Sequence, residues 1–142
     1  MTRVDFYLLS GSATSGREKL ACRLTEKAWK LKHKIYLHSD SEAESRQLDK
    51  LLWSFRAESF VPHNLLENAP ETLAPVLLGN TEEPSLADHD ILINLSTKVP
   101  TFFSRFERLV EIINEDETIR NAGRDRYRFY QQRGYTLNTH KI

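Results

Sequence analysis

The sequence predicts a three-layer α/β fold, an open and mainly parallel sheet with helices on both faces. Two observations carry this expectation. Strand-like and helix-like segments alternate along the chain. The run Asp90, Ile91, Leu92, Ile93, Asn94, Leu95 is nearly continuous in apolar residues, as in a parallel strand covered on both faces. The 142 residues suit one domain spanning residues 1–142, with no repeat, low-complexity segment or linker.

Each element follows in order. Residues 4–9 are mostly apolar and β-favouring, and read as a first strand. A Gly-Ser turn leads into a helix over 17–32. There Leu20, Leu24 and Leu31 recur at helical spacing, with Cys22 and Trp29 roughly opposite. Residues 34–38 form a second strand. Ser41 opens a helix over 41–53, with Glu44 three residues on to complete a capping box. Residues 59–61 suggest a short strand stopped by Pro62. The stretch 62–89 carries five prolines or glycines of loop character and one apolar run, 76–78. After the strand at 90–95, Pro100 precedes an expected amphipathic helix with Phe102, Phe106, Leu109 and Ile113 on one face. A last helix covers 118–133 and ends near Gly134, and residues 135–138 suit an edge strand.

Composition narrows the function. Hydrophobic residues make up 39% and charged residues 28%, with 20 basic against 20 acidic side chains. Zero net charge argues against dominant binding to a nucleic-acid backbone, which draws its affinity from neutralised phosphates. The charge is uneven, however. From residue 119 onward stand Arg120, Arg124, Arg126, Arg128, Arg133 and Lys141 against Asp125 alone. A basic end on a neutral chain points to a local acidic ligand. One cysteine, Cys22, excludes an internal disulfide, and the opening residues show no secretory pattern, so a cytoplasmic protein is expected.

Four constellations could carry chemistry. The run from Gly11 to Gly16 has the glycine spacing of a phosphate loop between a strand and a helix. Arg17 replaces its lysine, and Glu18, which would repel phosphate, replaces its hydroxyl residue. A degenerate loop of this kind leaves a nucleotide-binding phosphotransferase as the alternative function. His33, His38, His63, His89 and His140 form no metal-binding spacing. Asp88, His89 and Asp90 make a weak ligand-like cluster that also reads as a polar turn. Cys22 lies mid-helix and reads as a structural thiol.

The last helix says more. At 100° per residue, Arg120, Arg124, Tyr127, Arg128 and Gln131 share one face, while Ile119, Ala122, Phe129 and Tyr130 turn to the other. Guanidinium forks beside an aromatic ring suit an acidic peptide or a terminal carboxylate. A solvated basic face with a snorkelling tyrosine is the other reading of the same pattern. Trp53, Phe55 and Phe60 lie within eight residues at a helix-to-strand transition. They read either as partner anchors or as core packing.

These segments resemble a known family. Leu52-Trp53 followed by Ala57-Glu58-Ser59-Phe60-Val61-Pro62-His63-Asn64 is similar to the central signature of the chi subunit of bacterial DNA polymerase III. Phe6 to Leu9, residues 90–95, Arg126-Tyr127, and Gly134 with Leu137, Asn138 and Thr139 fit the same family in order. The resemblance implies a Rossmann-like fold with no working nucleotide site, no cofactor and no catalysis. It implies two partners. The psi subunit links chi to the clamp loader, and the acidic C-terminal tail of single-stranded DNA-binding protein ends in a Pro-Phe carboxylate. By position, Arg120, Arg124, Tyr127 and Arg128 would hold the tail, with Ile113 lining its pocket. Trp53 and Phe60 would face psi.

Overall fold

A computed structural model describes residues 1–12, 15–56, 60–66, 74–81 and 89–142. Seven strands form one sheet: β1 (Arg3–Leu8), β2 (Ile35–His38), β3 (His63–Leu65), β4 (Val76–Gly79), β5 (Ile91–Asn94), β6 (Arg108–Ile113) and β7 (Leu137–Lys141). Their order is β3-β4-β2-β5-β6-β1-β7, and every pairing is parallel. Three helices complete the chain: α1 (Gly16–Lys30), α2 (Glu42–Ser54) and α3 (Glu117–Gln132).

Strand alternation sorts the core into two layers. Ile35, Leu37, Val76, Leu78, Ile91, Ile93, Val110 and Ile112 meet Leu20, Ala21 and Cys22 of α1 and Leu48 and Leu52 of α2. The intervening Tyr36, Leu77, Leu92 and Leu109, with Phe6, meet Tyr130 of α3 and the cluster Phe102, Phe103, Phe106. So α1 and α2 cover one face and α3 the other. Both faces of the central strands are dry, which is why they read as unbroken apolar runs.

Three expectations needed correction. The helix expected after Pro100 is a single 3₁₀ turn, Phe103–Arg105, followed by strand β6. Phe102, Phe106, Leu109 and Ile113 are all buried in one layer, but the run Leu109-Val110-Glu111-Ile112-Ile113 is covered on both sides by other elements. A helical spacing and a two-sided buried strand look alike over so short a window. The strand expected at 59–61 begins instead after Pro62, at His63 (Ser59 lies outside the described residues). Proline lacks the N–H a ladder needs, so it precedes this edge strand rather than ending it. Leu31, just past the end of α1, is 66% exposed, whereas Cys22 within the helix packs beside Leu20 in the core. Burial and the neighbouring Glu18 charge push the Cys22 thiol up to about 12.

The helix ends follow the local chemistry. Ser41 accepts from the Glu44 amide at 3.2 Å, and Glu44 reaches back to the amide of Asp40. Asp116 caps α3 by accepting from the Ile119 amide at 3.1 Å. Gly134, at φ 84°, lets the chain turn out of α3 toward β7. The expected edge strand is there, shifted two to three residues to Leu137–Lys141. Among the described residues, no helix is long and apolar enough to cross a membrane.

Candidate functional site

In open parallel sheets, ligands bind outside the strand carboxyl ends where successive connections diverge. Here β2 leads through α2 toward β3, and β5 leads the opposite way toward β6. The place between them is bridged by the protein itself. The Asp40 carboxylate accepts from the Thr97 amide at 3.0 and 3.1 Å and from its hydroxyl at 3.2 Å.

The phosphate-loop position is likewise occupied from within. The Gly11 amide donates to Glu115 Oε2 at 2.8 Å, and the Glu115 amide donates to the Gly11 carbonyl at 2.8 Å. A carboxylate thus sits where a phosphate oxygen would be received. Arg17 Nε donates to the Ile112 carbonyl at 2.9 Å, and burial, its largest influence, lowers the guanidinium's pKa. Ala13 and Thr14 of this turn lie outside the described residues. Asp90, from the weak ligand-like cluster, bonds His33 Nδ1 at 2.6 Å and accepts from the Lys34 amide at 2.8 Å. Asp88 lies outside the described residues.

A groove of about 490 Å³ opens beside α3, at the carboxyl ends of β1, β6 and β7. Its apolar wall is Phe6, Leu8, Ile113 and Tyr127. Arg120 and Arg124, one helical turn apart on α3, and Lys141 of β7 add cationic groups to its lining. Tyr127 packs edge-on against Phe6 with ring centroids 5.1 Å apart, which fixes its ring as part of the wall. Gly123 permits the close approach of α3 and β6. A Cβ there would collide with Ile113 Cδ1 and lie 3.0 Å from its Cγ1.

Four of the five expected tail residues, Ile113, Arg120, Arg124 and Tyr127, therefore line one groove. Arg128 does not. It lies a turn further along α3, exposed and 3.5 Å from Asp125. Arg126, counted with the basic surface, is buried at 2% exposure. Its Nε donates to Glu111 Oε2 at 3.0 Å, and its Nη1 donates to the Thr97 carbonyl at 2.9 Å. The same Glu111 oxygen accepts from Tyr130 at 2.7 Å and Asn94 at 3.1 Å. Burial, then the Glu111 charge and hydrogen bond, push the Tyr130 hydroxyl far up and keep it a donor. Sequence reading missed this network, and it counted Lys141 in the basic end without assigning it to the expected tail site. The signal for the first was a lone Glu within the apolar run of β6.

The second expected surface is at the other end of the sheet. Trp53, near the end of α2, is 55% exposed and Phe60 is 62% exposed. Their ring centroids lie 5.8 Å apart, and Trp53 rests over His63 at 4.5 Å. Two large apolar rings in contact and facing water are unusual for surface residues scattered singly.

Known proteins agree with this architecture. Residues 1–138 match the family model described as DNA polymerase III chi subunit, HolC. A DNA polymerase III subunit chi of Pseudomonas aeruginosa is 46% identical over 142 residues, covering 100% of this chain and 98% of its own. The Escherichia coli subunit chi is 33% identical over 143 residues, covering 98% and 97%. Among solved structures, that of T4 UvsW superposes with a TM-score of 0.73 at 8% identity. It covers 99% of this chain and 41% of its own, a likeness of fold alone. The chain belongs to the DNA polymerase III chi subunit family and is a non-catalytic component of the replication machinery.

Proposed function

We propose that the protein is a cytoplasmic tether that joins the clamp loader, through the psi subunit, to the acidic tail of single-stranded DNA-binding protein. The observation that carries this reading is the groove beside α3. An apolar wall for a terminal side chain lies within reach of two guanidinium groups and an ammonium for its carboxylate. Arg128 extends the cationic stripe outside the groove, where acidic residues upstream of the tail's end would pass. The Trp53–Phe60 pair is the corresponding anchor for psi.

A disordered tail loses conformational freedom on docking, so the affinity is modest, roughly micromolar or about 8 kcal/mol. Function then comes from numbers. Many tails on one nucleoprotein filament raise the local concentration of the polymerase assembly. Rim charges make the binding salt-sensitive.

The test is fluorescence anisotropy with a labelled acidic peptide ending Asp-Ile-Pro-Phe, free or amidated. Binding that requires the free carboxylate and weakens with salt supports the tether. Failure of the wild-type protein to bind at low salt ends the assignment of this groove. Saturable, magnesium-dependent ATP binding would instead revive the phosphotransferase alternative, against which Glu115 on the Gly11 amide and Asp40 on Thr97 both stand.

A further inference from the structure

Beneath the Trp53–Phe60 pair lies a histidine whose hydrogen bonding is not explained by packing alone. The His63 side chain is fully buried. Its Nδ1 is 2.6 Å from the Val61 carbonyl oxygen. Its Nε2 is 3.2 Å from the Asp49 carbonyl oxygen and 3.3 Å from Asp49 Oδ1. All three neighbours are acceptors only. A neutral imidazole has one N–H. With that proton on Nδ1 for the short bond, the Nε2 lone pair faces two oxygens. A second proton converts that repulsion into hydrogen bonding with Asp49.

The position of these contacts matters. Asp49 lies one helical turn before Trp53, on the same side of α2. Val61 follows Phe60 directly. So the ring joins the backbone next to one aromatic residue to the helical turn that carries the other, and Trp53 sits on it with centroids 4.5 Å apart. Among the described residues, Asp49 of α2 is the charged group facing His63, and its cross-strand neighbour on β4 is the apolar Val76.

We propose that His63 is a positioning residue for the Trp53–Phe60 surface, tying Val61 to Asp49 beneath the indole, and that its second proton tightens the tie. This rests on reading the aromatic pair as a partner surface, but it does not depend on that partner being psi. The surface is then held most firmly when the imidazole is charged, and a protonated ring under the indole adds a cation–π contact.

The experiment uses the full chain labelled with fluorotryptophan, its two resonances assigned through Trp53→Phe. The Trp53 resonance and the His63 ring shifts are followed together across pH. The expected result is a Trp53 shift that titrates in step with His63, sharpens as the ring takes up its second proton, and disappears in His63→Gln. Trp29, elsewhere on α1, stays unchanged. A Trp53 resonance that is flat while His63 titrates, or that keeps its pH response in His63→Gln, overturns the proposal. So does a ring that never gains the second proton in the folded state. If His63→Gln does not fold, comparison of the two wild-type titrations decides. Pull-down of psi by the wild-type protein tests the partner separately, so loss of one reading is distinguishable from loss of the other.

Discussion

Glu111 and Arg126 show how one buried residue pair shapes the groove beside α3 without lining it. Both are buried, and the pair anchors α3 to β6 between the groove residues Arg124 and Tyr127. Removing one partner strands a buried charge, which costs roughly 3–5 kcal/mol. Arg126→Met is therefore expected to lower unfolding free energy by that order in urea titration. Replacing both groups together, Glu111→Leu with Arg126→Met, should recover most of the loss. Arg124 belongs to a different class. It is exposed and makes no structural contribution of that size, so Arg124→Ala should leave the urea midpoint nearly unchanged. It should weaken the free-carboxylate peptide by about 1.5–3 kcal/mol, as expected for a charge-assisted hydrogen bond. A variant set in which Arg124→Ala binds like wild type would remove this residue from the site.

At the scale of elements, the groove depends on how closely α3 approaches β6. Gly123 makes that approach possible, since a methyl group there meets the Ile113 side chain. In Gly123→Ala two effects oppose each other. Helix propensity favours alanine by about 1 kcal/mol. Overpacking costs about 1–3 kcal/mol unless Ile113 turns away. Its free direction is the groove, which it already lines. Stability should therefore change little, while peptide affinity falls several-fold as the apolar pocket fills. Anisotropy and thermal melting on the same sample separate the two effects, and a melting temperature that drops steeply without loss of binding would contradict this account.

At the scale of the molecule, the two surfaces lie toward opposite ends of the sheet. Strand β3, beside the Trp53–Phe60 pair, is one edge, and β7, beside the groove, is the other. Six strand spacings separate them, about 30 Å. Sites so far apart with no shared residues should act additively. Trp53→Ala is expected to leave tail-peptide affinity unchanged within about twofold, and both ligands should be held at once in sedimentation experiments. The other whole-molecule expectation concerns acid. Burial raises the Asp5 carboxyl, but hydrogen bonds from Arg108 and His140 and the charges of Arg108 and Arg3 outweigh it. The net shift is below the ordinary value of 3.8. A carboxylate depressed in the folded state contributes stability above that unfolded value and loses it as pH falls through the folded one. Melting curves of wild type and Asp5→Asn should thus differ most near neutral pH and converge in strong acid.

The fold class, most of the helices and strands, and the face of α3 that carries Arg120, Arg124 and Tyr127 were legible from residue order alone. These are local matters, because strand alternation, helical period and capping chemistry act over a few residues. The sequence also held the family resemblance, which turned the aromatic pattern of Trp53 and Phe60 into an expected partner surface and added Ile113 to the expected tail pocket. That residues 108–113 are a strand emerged from the tertiary fold, since one of their faces is buried by the neighbouring α3 and the other by α1, far back in the chain. Only that fold separated Arg126 from its exposed neighbours, because a residue leaves the surface when a partner such as Glu111 satisfies it, and that partner stands on another element. Lys141 and Phe6 joined the groove for the same reason. A binding site is made where chain segments remote in sequence meet, and no periodicity within one segment records that meeting.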